Sequence, residues 1–191
     1  METVVRREKW LALHNFRSNS EVFKEQLQTL IALLGDVDIE FVNAPHAARG
    51  PGFYPGEGFE WWYSPTYKSA MMGWIGDLGL EETKEYLRKI IRENGPFDGV
   101  IGFSQGGGMA HFLLGQGIVK KGILFSPVVP LGHTLNPITN SNVLVALDPA
   151  DFTGEAVPLD GLKPFTHGEN HTIPDAKNGI WCDIEQSLKG W

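Results

Sequence analysis

Residues 97–114 read Phe-Asp-Gly-Val-Ile-Gly-Phe-Ser-Gln-Gly-Gly-Gly-Met-Ala-His-Phe-Leu-Leu, and the way this stretch divides decides the fold. Its first part, 97–103, is an apolar, β-branched run of the kind that forms a buried strand. Gly102-Phe103-Ser104-Gln105-Gly106 then spells G-x-S-x-G, and 107–114 has the composition of the opening turns of a buried helix. Strand, tight turn and helix is the context of a nucleophile elbow, in which the serine takes a strained backbone and flanking glycines avoid a Cβ clash. The pattern alone is weak. With 8 Ser and 23 Gly among 191 residues, a chance match is expected roughly once in nine such chains. The strand–helix setting is what gives it weight.

The rest of the composition sets bounds. A chain of 191 residues, 42% hydrophobic, suffices for one domain with a sizeable core, so residues 1–191 are read as a single domain. A net charge of −7 argues against nucleic acid or an anionic membrane surface as the main partner. Cys182 stands alone, which excludes an internal disulfide framework and fits a reducing compartment. The opening METVVRREKW carries charge with no apolar segment behind it, and no run is long enough to span a bilayer. The expectation is a cytoplasmic globular protein.

Strand-like and helix-like segments alternate outward from the elbow. Residues 9–13 form a short apolar run ending in His14-Asn15. Residues 21–34 place apolar side chains at 23, 27, 30, 31 and 34, the period of one helix, capped by Ser18 or Ser20 and stopped by Gly35. Strands are expected at 38–42, 121–126, 143–147 and 162–166, and further helices at 81–94 and 176–188. Such interleaving predicts an α/β fold, with a mostly parallel central sheet and helices on both faces. Ligands on these sheets sit at the carboxyl ends of the strands, where His14, Ser104, Asp148 and Asp151 all fall.

Residues 44–80 break the rhythm with a run rich in Gly, Pro and aromatics. A loop of this length in a compact domain is functional or disordered, and the aromatic content speaks against disorder. Two readings stand: a packed structural cover for the sheet, or an apolar wall or lid for an acyl-like ligand, built from Trp61, Trp62, Tyr63, Met71, Met72 and Trp74.

A serine hydroxyl needs a base to accept its proton, and the base needs an acid to fix its tautomer. The order in α/β-hydrolase folds is Ser, then Asp or Glu, then His. Of the downstream histidines, His111 lies on the elbow helix facing away, and His133 sits in a Pro/Gly-rich loop. His167 and His171 both follow the last expected strand, and His171 is preferred by a small margin. A phosphate-binding loop fails for want of G-K-[ST] after the glycines, and a zinc site fails because Gly168, Asn170 and Pro174 oppose a helix aligning the two histidines. No metal and no cofactor are expected.

Leu13-His14-Asn15-Phe16-Arg17, Asn43-Ala44-Pro45-His46, Trp61-Trp62, the elbow with its Gln105, and 168–174 (GENHTIP) together resemble the FSH family of small serine hydrolases. The resemblance runs from about residue 8 to 187. It implies an α/β-hydrolase that cleaves a carboxylic ester or thioester through an acyl-enzyme, with Ser104 as nucleophile, His171 as base and Asp151 as acid. It leaves Asp148 as a competitor for the acid, because Asp148 stands where the family has glycine. Asn15 likewise replaces the glycine after His14, and Glu169-Asn170 replaces Gly-Gly. The oxyanion would be held by the backbone N–H groups of Phe16 and Gln105. A small-molecule acyl ester or thioester is the expected partner. An acyltransferase using the same acyl-enzyme and a non-catalytic acyl-binding relative are the rival readings.

Overall fold

The computed structural model describes residues 6–63, 78–130, 133–139, 142–151, 159 and 162–191. Met71, Met72 and Trp74 lie outside the described residues. Six strands, β1 (Lys9–Leu13), β2 (Asp38–Val42), β5 (Gly99–Phe103), β6 (Lys121–Phe125), β7 (Val143–Leu147) and β8 (Phe165–Thr166), form one sheet in the order β2-β1-β5-β6-β7-β8. Every neighbouring pair runs parallel. A small antiparallel pair, β3 (His46–Ala47) with β4 (Phe59–Glu60), folds above it.

The two-residue period of the strands sorts their side chains onto two cores. Trp10, Ala12, Ile101, Phe103, Ile123, Phe125, Leu144 and Ala146 point to one face. There they meet Phe23 of α1 (Ser20–Gln26), Leu30 of α2 (Gln28–Leu34) and Leu27 between the two, and Ile180, Trp181 and Ile184 from α5 (Ile180–Leu188). Leu11, Leu13, Val100, Leu124, Val143, Val145 and Leu147 point to the other. They pack on Leu87 and Ile90 of α3 (Leu80–Asn94) and on Met109, Ala110 and Leu113 of α4 (Gln105–Gly115).

The strands at 9–13, 38–42 and 143–147 have the bounds their sequence predicts. The strands expected at 97–103 and 121–126 and the helix expected at 81–94 shift by one or two residues at one end, and three other elements differ more. The single helix expected over 21–34 is broken at Leu27 (φ −92°, ψ 9°), and its N-cap is Asn19, whose side chain accepts from Val22 N–H, not Ser18 or Ser20. The strand expected at 162–166 shrinks to Phe165–Thr166 because Pro164 has no N–H to give a ladder. The closing helix starts at Ile180 instead of 176. Asn178 holds Ile180 N–H on its Oδ1, and Gly179 precedes the first turn.

From β1 the chain moves outward to β2, then returns across β1 to enter β5 on the other side. The strand order therefore reverses between β1 and β5, and the crevice at their carboxyl ends is where such sheets bind ligands.

Candidate active site

Ser104 follows β5 directly and has φ 54°, ψ −118°, a left-handed conformation a non-glycine residue adopts only where its surroundings hold it there. The flanking glycines explain how. A Cβ on Gly102 would strike the Gly106 carbonyl oxygen, and one on Gly106 would strike the carbonyl oxygens of Leu13 and His14. The turn is thus pressed between its own helix and the end of β1. Phe125 O accepts from Ser104 N–H at 3.0 Å, and Ser104 O accepts from Gly108 and Val128 N–H at 3.0 and 3.1 Å.

Around the serine the structure brings together residues from three loops. The Ser104 hydroxyl lies 2.9 Å from His171 Nε2, and His171 Nδ1 lies 2.7 Å from Asp151 Oδ2. With the ring proton on Nδ1, the hydroxyl donates to Nε2 and Nδ1–H donates to the carboxylate. The Asp151 side chain is fully buried while that of His171 is 23% exposed, so the imidazole can meet a ligand and the carboxylate beside it cannot. Phe103 packs its ring 5.1 Å from the imidazole.

Asp148 has different partners. One of its carboxylate oxygens accepts from Ala150 N–H at 2.8 Å and the other from Asn170 N–H at 2.5 Å. These two bonds hold its carboxyl below the usual carboxylate range and pin the turn carrying Asp151 to the loop carrying His171. His167 belongs to that scaffold. Its Nδ1 accepts from Glu169 N–H, its carbonyl accepts from Asn178 Nδ2, and burial lowers its pKa. Glu169 fastens the same loop through Asn178 Nδ2 and Asp175 N–H.

Phe16 lies in the turn after β1 that is closed by Ser18 N–H to Asn15 O at 3.3 Å. Gln105 is the first residue of α4, where N–H groups have no partner within the helix and the helix dipole favours negative charge. His14, fully buried, is a strut between these segments. Its Nδ1–H donates to Asn15 O at 2.7 Å, its Nε2 accepts from Ala44 N–H at 3.0 Å, and burial pushes its pKa down to about 4, so it stays neutral.

The aromatic loop divides into two roles. Trp61 and Trp62 are 0% exposed and sit in the core, not along an open acyl wall. Their surroundings give the reason. Trp61 Nε1–H donates to His14 O at 2.7 Å and Thr83 Oγ1 donates to Trp61 O. Gln105 accepts from Trp61 N–H and donates to Trp62 O. Arg17 and Glu60 form a buried ion pair at 2.8 Å just beneath. Tyr63 lies partly buried under the Arg49 guanidinium, 3.6 Å from its ring centroid. Phe53 and Tyr54, which the sequence offered only as part of the aromatic-rich stretch, pack beside the turn after β1. Phe53 is 47% exposed and lies against Phe16, while the Tyr54 hydroxyl accepts from Asn15 Nδ2 at 3.1 Å. The departure from glycine at residue 15 was the available signal.

Among known proteins, the chain is similar to esterase OVCA2 of Bos taurus, 30% identical over 202 residues, covering 87% of this chain and 89% of that protein. It is also 30% identical over 128 residues to the rhodanese-like domain-containing protein 6 of Arabidopsis thaliana, covering 56% of this chain and 22% of that protein. Several of the curated relatives it matches are longer, and the chain spans from about a fifth to about a half of their length. A carboxylesterase structure from Mesorhizobium loti superposes with a TM-score of 0.70 at 16% identity, covering 98% of this chain and 90% of that one, which shows the α/β-hydrolase fold. The serine hydrolase (FSH1) family matches residues 1–121, a span that holds the elbow and β1 but ends before Asp151 and His171. On the family match and the bovine relative together, this chain belongs to the FSH1 family of serine hydrolases.

Proposed function

We propose that the protein hydrolyses a small-molecule carboxylic ester or thioester through an acyl-enzyme on Ser104, and that it does so in the cytoplasm. One observation carries this reading: the hydrogen-bond chain from Ser104 to His171 to Asp151, with a strained serine at one end and a fully buried carboxylate at the other. In this reading His171 Nε2 takes the hydroxyl proton as Oγ bonds to the substrate carbonyl carbon. The oxyanion that forms points to the backbone N–H groups of Phe16 and Gln105, and Asp151 balances the imidazolium. The proton then passes to the departing alcohol or thiol as the carbonyl bond to it breaks. Water, deprotonated by the same imidazole, releases the acid and restores Ser104.

The test is kinetic, with a chromogenic short-chain ester. Ser104→Ala and His171→Ala are each expected to lose about 10³-fold or more in kcat, and the double variant little further, because groups acting as a unit are not additive. Wild-type-like turnover in either single variant contradicts the reading.

A further inference from the structure

A cleft of about 490 Å³ opens between α1–α2 and the segment after His171. Phe103, the residue before Ser104, and Thr172, the residue after His171, both line it, and the Phe103 ring lies 5.1 Å from the His171 imidazole, so the cleft opens beside the serine–histidine pair. Tyr54, Glu25 and Asp175 line it as well. At Glu25 it meets a second groove of about 520 Å³, which adds Glu21 and Glu57 to the wall. Among the described residues no Lys or Arg lines either depression, and Lys24 and Lys177, next in sequence to Glu25 and near Asp175, are outside both linings. Glu21, Glu25, Glu57 and Asp175 are all exposed. The furrow thus presents carboxylates of one sign to whatever enters it.

Tyr54 adds a directed hydrogen bond. Its hydroxyl oxygen accepts from Nδ2 of Asn15, a residue only 6% exposed, which fixes the hydroxyl and leaves its own proton to give. Asn15 Oδ1 is buried with no partner among the described residues, so this amide holds the hydroxyl through one end alone.

We propose that the furrow is the leaving-group subsite of the active centre. In it Tyr54 donates to an acceptor on the leaving group, and Glu25 and Asp175 favour cationic and neutral leaving groups over anionic ones. The inference rests on the serine-hydrolase reading. His171 must hand its proton to the departing heteroatom, so the leaving group passes beside the imidazole, and the wall that continues from the imidazole is the one formed by 172–176.

The experiment compares butyrate esters of choline, its uncharged carbon isostere and isethionate, followed by proton release, each kcat/KM divided by the ester's own hydroxide-catalysed rate. At low ionic strength the choline ester is expected to exceed the isethionate ester about tenfold, with the isostere between them and the spread shrinking in added salt. The E25Q/D175N variant is expected to bring the ratio within about threefold. A second pair, butyrate esters of N-acetylethanolamine and pentanol, tests the tyrosine. Y54F is expected to lower kcat/KM about fivefold more for the amide-bearing ester than for the alkyl one. Hydrolysis of all three charge probes at equal normalised rates, a ratio that survives E25Q/D175N, or an equal effect of Y54F on both neutral esters overturns the subsite and leaves the hydrolase reading standing. No hydrolysis of any ester above the S104A background overturns both.

Discussion

The side-chain amide of Gln105 accepts from the backbone N–H of Trp61 at 2.9 Å, tying the residue next to the serine to the loop that covers the sheet. The same amide donates to Trp62 O at 3.0 Å, and Gln105 is fully buried. Its side chain does for the loop what a strand neighbour does in a ladder, with one donor and one acceptor to one backbone segment.

Replacing Gln105 with Leu keeps the volume but leaves the Trp61 N–H and Trp62 carbonyl buried and unpaired. A loss of about 2–4 kcal/mol in unfolding free energy is expected by urea titration, with kcat falling as the elbow loosens. A change below about 0.5 kcal/mol would mean that water or another group replaces the amide.

The two aspartates after β7 are expected to separate by function. D151N removes the charge facing His171 Nδ1 and is expected to cut kcat by about 10³–10⁴-fold with the fold retained. D148N keeps a carbonyl for one backbone N–H but turns an amide toward the other, so it is expected to lower the melting temperature and reduce kcat less than D151N. Steady-state kinetics and thermal melts on the same samples decide. The reverse ranking would make Asp148 the acid.

The tryptophans are expected to report on stability. W61A and W62A each empty a fully buried site and are expected to cost about 3–5 kcal/mol. The preference of the surviving folded enzyme for acyl chain length is expected to stay as in wild type. If chain-length preference flattens in W61A while stability holds, the indole faces the acyl group.

His14 predicts a pH dependence of stability. Burial holds its folded pKa at about 4, below the value of about 6.5 in an unfolded chain, so the unfolded state binds the proton first as pH falls. Its contribution is fully present above about pH 6.5 and is lost as pH drops toward 4, about 3 kcal/mol in all. In NMR the His14 ring signals are expected to remain those of a neutral imidazole down to about pH 5. Titration of His14 near pH 6.5 in the folded protein would contradict the buried geometry.

The strands were the most legible part of the chain, because 9–13 and 143–147 are apolar runs bounded by polar residues and are buried on both faces. The break at Leu27 was not legible. No Gly or Pro marks it, and the apolar positions 23, 27 and 30 pack on one core across it. The β3–β4 pair has two residues per strand, too few for any period to register. At the site, the elbow could be read locally because strand, turn and helix are contiguous. The choice between Asp148 and Asp151 could not, since it depends on how the turn after β7 meets a loop some twenty residues later. Trp61 and Trp62 drew notice as apolar surface, yet what decides their place is a set of hydrogen bonds, from Trp61 to Gln105 and the His14 carbonyl and from Gln105 to the Trp62 carbonyl, which composition cannot reveal.

The most direct test of the account is intact-mass measurement after incubation with a fluorophosphonate probe, which reports an activated serine without any choice of substrate. Wild-type protein is expected to gain the mass of one adduct, S104A none, and H171A to label far more slowly. Equal labelling of S104A and wild type, or a wild-type protein that stays unmodified at saturating probe, would contradict Ser104 as the nucleophile.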